Sequence, residues 1–101
     1  MPVESIRTGL AVARVHLPLA LREEAAGAAS IEVACSTVND ALDALCIAHP
    51  TLRRHIFDET GALRRHVNVF VNDAEARTRE GLDTSVRTGD EIHVVPSIAG
   101  G

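Results

Sequence analysis

Apolar and polar positions alternate first from Leu10, where the chain reads L-A-V-A-R-V-H-L, and this pattern predicts a strand over Leu10 to Leu17. Pro18 ends it, because proline has no N–H to give to a ladder. L-A-L-R-E-E-A-A-G then reads as a short helical turn or wide loop stopped at Gly27. Ile31 to Cys35 alternates again and predicts a second strand, the hairpin partner of the first. The period changes at Thr37. Val38, Ala41, Leu42, Leu45 and His49 share one face at helical spacing, and Asp40 and Asp43 share the other. Thr37 is placed to cap this helix, with Asp40 in the first turn suiting its positive end. Pro50 stops it near Ala48 or His49. Ile47 falls on the polar side, and the pattern offers no reason for it.

Residues 51–62 read as a poorly regular connection with a turn at Asp58–Gly61. His66 to Val71 is the clearest strand: Val67, Val69 and Val71 face one way, Asn68 and Phe70 the other. Asn72-Asp73 is a turn. Residues 74–88 read as short pieces, with a small strand and one helical turn near Leu82 to Val86. Thr88-Gly89-Asp90 is a tight turn, and Glu91 to Val95 is the last strand, ended by Pro96. Strands flanking one long helix predict an α+β domain with the helix laid across one sheet face.

Composition narrows the function. At 101 residues the chain suits one domain with one modest core. Phe57 and Phe70 are its only aromatics, so Val, Leu, Ile and Ala must fill the core. A net charge of −4 argues against a nucleic-acid partner, which would call for a basic face and stacking aromatics. Every basic residue is arginine. Cys35 and Cys46 make neither a metal motif nor a disulfide framework and read as core-filling thiols. No window resembles a signal peptide or a membrane span, so a cytoplasmic protein with no membrane partner is expected. No metal ligand set is expected either, and His93 reads as a rim histidine.

Three stretches carry a family resemblance. L17-P-L-A-L-R22 with Gly27 looks like a segment of molybdopterin-synthase small subunits. V67-N-V-F-V-N-D73 resembles a strand and turn of the MoaD/ThiS sulfur carriers. G89-D-E-I-H-V-V-P-S-I-A-G-G101 resembles their C-terminal signature, and the last two together look most like the CysO branch. The resemblance covers about Leu10 to Gly101. It implies a ubiquitin-like β-grasp: a mixed sheet of four to five strands, one main helix packed across it, and a flexible C-terminal tail. The domain would span residues 10–96, between a loose arm at residues 1–9 and a Gly-Gly tail at 97–101.

The resemblance also implies that the protein is not an enzyme but a cosubstrate. The Gly101 carboxylate would be adenylated by a ubiquitin-activating-like enzyme using ATP and Mg²⁺, then converted to a thiocarboxylate that donates sulfur. No cofactor would be bound by the chain itself. Pro96, Ser97, Ile98, Ala99 and Gly100 would be recognised by partner enzymes. Pro96 would stiffen the exit, Ile98 would anchor, and the glycines would enter a narrow channel because they lack Cβ. Strand alternation, separately, sets Phe70, His93 and Val95 opposite the core-facing valines, where they would form a docking patch beside the tail.

The sulfur's destination stays open. Cysteine or a sulfur-containing metabolite comes first, through a synthase that could be pyridoxal-phosphate dependent, with a JAMM-type zinc peptidase as a further partner. Molybdopterin or thiamin is the alternative. A ubiquitin-like modifier joined to lysines, and a plain interaction module with no covalent chemistry, are the competing classes.

Overall fold

A computed structural model describes residues 11–96; the arm expected at residues 1–9, Leu10, and the tail Ser97 to Gly101 lie outside the described residues. β1 (Ala11–His16) buries Ala11, Ala13 and Val15 and exposes Val12 and Arg14, as strand alternation requires. It pairs antiparallel with β2 (Ser30–Cys35) in the register Ala11–Cys35 to His16–Ser30. Between them, Pro18 leads into a single turn, α1 (Leu19–Arg22). The Leu-Pro-x-x-Leu-Arg segment has a structural task here. Leu17 is buried, and Arg22 Nε donates to the Leu17 carbonyl at 3.1 Å, closing the end of β1.

The expected helix is α2 (Val38–Ala48). Thr37 Oγ1 accepts from the Asp40 N–H at 3.1 Å, and the Asp40 carboxylate accepts from the Ser36 N–H and hydroxyl at 3.2 and 2.7 Å. One helix-end donor, the Asp40 N–H, and the Ser36 N–H just before the cap are thus satisfied before the first full turn. Val38, Ala41, Leu42, Leu45 and Cys46 are buried against the sheet, and His49 is half-buried. Ile47 is 71% exposed, and nothing among the described residues covers it.

The connection after α2 is more regular than its sequence suggested. A 3₁₀ turn at Pro50–Leu52 runs into α3 (Arg53–Ile56), and Leu52, Ile56 and Phe57 are buried. Pro50 stops one helix but is also preorganised to start the next turn. The spacing of Leu52 and Ile56 is one helical repeat, which then reaches the core.

β3 (Val67–Val71) follows, with β4 (Ala74–Glu75) as a two-residue edge strand. The helical turn expected near Leu82 to Val86 lies earlier, at Gly81–Asp83. Gly81 opens it at φ 62°, and the buried Thr84 hydroxyl closes it by donating to the Gly81 carbonyl at 2.7 Å. Thr84 to Val86 instead runs extended beside the start of α2, with Val38 N–H on the Thr84 carbonyl and Val86 N–H on the Ser36 carbonyl, both at 3.0 Å.

β5 (Glu91–Pro96) completes the sheet. Among the described residues it is five-stranded in the order β2-β1-β5-β3-β4, with β1 and β5 parallel and the other pairs antiparallel. This is the β-grasp arrangement that the resemblance implied. The last strand in sequence lies at the centre of the sheet.

Candidate functional site

Alternation sends every second side chain of the sheet away from α2. On that outer face, register places Ser30, His16, His93, Phe70 and Glu75 in one continuous row across all five strands. The neighbouring row holds Glu32, Arg14 and Glu91, and the opposite neighbour pairs Asn68 with Val95. Phe70, His93 and Val95 therefore share one surface. Phe70 and His93 are direct cross-strand partners and half-buried, and Val95 is 39% exposed two residues along β5.

The sequence reading missed two members of this face, His16 and Glu91. The ring of His16 stacks on that of His93, with centroids 4.5 Å apart and planes 10° from parallel. His16 Nε2 contacts Glu91 Oε1. This hydrogen bond holds the Glu91 carboxyl below its ordinary range, and the charges of His16, Arg14 and His93 act in the same direction. Arg14 also pairs with Glu32 at 2.9 Å. The available signal was topological: once β1 and β5 are set parallel side by side, alternation puts His16 next to His93.

Pro96 is exposed, ends β5, and lies opposite Val67 at the start of β3. The chain leaves the described part of the fold there, at the edge of the Phe70–His93–Val95 surface. Ser97, Ile98, Ala99, Gly100 and Gly101 lie outside the described residues. Leu19, just past the parallel end of β1, is 78% exposed at the same end of the sheet. A cleft of about 700 Å³ lies at the other end, lined in part by Asn72, Arg79, Thr84, Arg87 and Asp90, and contains none of the expected site residues.

Cys35 and Cys46 are buried and free, and burial pushes both thiols up from their ordinary value. Among the described residues, no three His, Cys, Asp or Glu side chains are grouped to hold a metal ion. None of the helices there is long and apolar enough to cross a membrane.

Comparison with known proteins places this geometry in a family. The chain is 30% identical over 89 residues to the sulfur carrier protein CysO of Mycobacterium tuberculosis, covering 86% of this chain and 96% of that protein. It is 38% identical over 81 residues to small archaeal modifier protein 1 of Haloferax volcanii, covering 77% and 88%. Among solved structures, it matches a chain of the Amycolatopsis orientalis BexX/CysO complex with a TM-score of 0.81 at 32% identity, covering 88% of this chain and 99% of that one. The model of the ThiS family matches residues 15–101, including most of the outer sheet face, β5 and the terminal glycines, and the chain belongs to that family.

Proposed function

We propose that this protein is a sulfur carrier whose Gly101 carboxylate is converted to a thiocarboxylate. The observation that carries the reading is the placement of β5. The central strand ends at exposed Pro96, five residues before Gly101, beside a surface of Phe70, His93 and Val95. A rigid sheet thus holds the root of the tail next to a face that an enzyme can grip.

A carboxylate is an anion at neutral pH and a poor acyl donor. Its oxygen attacks the α-phosphorus of ATP and pyrophosphate leaves, with an activating enzyme and its Mg²⁺ stabilising the phosphate charge. Hydrosulfide then attacks the acyl carbon and AMP leaves, with loss of one proton. The product is a thiocarboxylate, a covalently held sulfur nucleophile. The chain contributes recognition and a slender tail, and no catalytic group. The partners are an adenylating sulfurtransferase and a sulfur-accepting synthase acting in the cytoplasm. Similarity to CysO favours cysteine or a sulfur-containing metabolite as the destination, ahead of molybdopterin or thiamin.

The likeness to small archaeal modifier protein 1 supports a second reading, in which the activated terminus is joined to lysines of other proteins. Both readings share the adenylation step. The deciding experiment is intact mass after incubation with ATP, Mg²⁺, sulfide and a panel of ubiquitin-activating-like adenylyltransferases. Replacement of one oxygen by sulfur, lost when Gly101 is deleted, is expected. No mass change, with enzymes that act on their own carriers, would overturn the carrier reading. Gly101-dependent conjugates of higher mass in a lysate, without thiocarboxylate, would establish the modifier.

A further inference from the structure

The chain carries 14 acidic residues against 10 arginines, yet residues 53–66 reverse that balance with four arginines, two histidines and two acids. Folding brings the two Arg-Arg-His runs together: Arg64 Nε donates to the Arg54 carbonyl at 2.6 Å. Arg77 joins from beyond β4, donating to the Arg64 carbonyl at 3.0 Å and to Asn68 Oδ1 at 2.8 Å. Two of these arginines, Arg53 and Arg77, are already answered by carboxylates, and a third carboxylate lies near His55. Asp43 takes Arg53 at 2.6 Å, Glu75 lies 3.8 Å from Arg77, and Glu24 lies 3.9 Å from His55. Arg54, Arg65 and His66 are exposed, and among the described residues their side chains have no ion-pair or hydrogen-bond partner.

Their position gives them meaning. β3 and β5 are antiparallel with Val67 opposite Pro96, so β5 points along the approach to β3, which is Arg64 to His66. Asn68, held by Arg77, lies opposite Val95 on the outer face. The basic flank is therefore continuous with the proposed docking surface and adjoins the exit of the tail.

Resting on the reading that a partner enzyme takes the tail, we propose that Arg54 and Arg65 pair with an acidic protein surface at the rim of that enzyme's tail-binding site. The cations are spread over α3 and the approach to β3. The nearby concavity of about 450 Å³ is lined by Asp58 and Glu59 as well as by Arg53, Arg54 and Arg64. That arrangement suits a broad acidic surface better than a phosphate, which calls for converging donors. Charge of this kind acts mainly on encounter, raising association rates by roughly 10- to 1,000-fold at low salt and fading with ionic strength.

The test is the double variant Arg54→Glu/Arg65→Glu, assayed by pyrophosphate exchange with the activating enzyme over a range of ionic strength. Arg79→Glu/Arg87→Glu makes the same change in net charge near the start of β5 and is the control. At low salt the flank variant is expected to raise KM for the carrier by about tenfold or more, flatten its salt dependence and leave kcat within about twofold, while the control follows wild type. Arg54→Lys/Arg65→Lys should stay close to wild type. Equal effects of the two charge reversals, no effect of either, or a rise in KM for ATP instead of the carrier would each overturn the proposal. If the wild-type protein is not adenylated at all, the functional reading fails first and this inference falls with it.

Discussion

His16 and His93 stack face to face, 4.5 Å between ring centroids, across the parallel junction of the first and last strands. The chain has two Phe and no Trp or Tyr, and these imidazoles lie in register with Phe70 across the middle of the sheet. Glu91 contacts His16 and so fixes one ring of the stack. The centre of the outer face is therefore set by packing and a hydrogen bond before any partner arrives.

A preformed face of this kind should bind through a few central residues. His93→Ala and Phe70→Ala are each expected to weaken binding to the activating enzyme by about tenfold, or about 1.4 kcal/mol. Titration calorimetry would measure it. Unchanged affinity in both variants, with the fold intact by circular dichroism, would remove this face from the interaction.

Neither cysteine should behave as a redox or sulfur-relay thiol. Cys35 is 0% and Cys46 2% exposed, and burial raises both thiols from their ordinary value of 9.0, so little thiolate forms near neutral pH. Both are expected to resist a thiol-reactive dye in native buffer and to react in concentrated urea. Rapid labelling of the native protein would show a thiol that the fold leaves open.

The two faces of α2 should respond very differently to truncation. Leu45 is fully buried, and Leu45→Ala is expected to cost about 2–5 kcal/mol. Ile47→Ala, at a position 71% exposed, should change stability by no more than about 0.5 kcal/mol. Urea denaturation of both variants checks this. A large loss at Ile47 would mean that another surface covers it in solution.

Acid should release the start of α2. Hydrogen bonds from the Ser36 hydroxyl and N–H hold the Asp40 carboxyl below its ordinary value of 3.8, with lesser help from Thr37. A carboxylate with a lowered folded-state value binds fewer protons folded than unfolded at mildly acid pH. Its contribution is therefore fully present above pH 3.8 and is lost as pH falls through the folded-state value. Asp40→Asn is expected to lower stability at pH 6 and to lose less than wild type on acidification to pH 3. Parallel pH profiles of the two proteins would contradict this.

Much of this fold was legible because its elements obey simple periods. Val67, Val69 and Val71 alternate, α2 carries its buried residues at helical spacing, and Thr37 caps where a cap was expected. Short elements were harder. Leu52 and Ile56 form one repeat of a helix too brief to show a pattern, and the turn at Gly81–Asp83 is closed by a Thr84 hydroxyl that looks like any loop threonine. At the candidate site, Phe70, His93 and Val95 could be read from two strands by alternation. His16 and Glu91 could not, because their place depends on a pairing between residues 75 positions apart. Local pattern carries no information about contacts of that separation.

The parallel junction of β1 and β5 also governs how the molecule bears load. Tension drawn between Ala11 and Pro96 pulls the two strands past one another along their length. It works at once against the paired stretch Arg14–Glu91 to His16–His93 and the flanking bonds from Gly89 to Val12 and from Arg14 to Asp90. Bonds loaded together in shear must break together, whereas bonds at a peeling edge break one by one. Each flank is further held by an antiparallel neighbour, β2 on one side and β3 on the other. An enzyme that grips the chain beyond Pro96 and draws on it therefore loads this seam in shear rather than peeling it open.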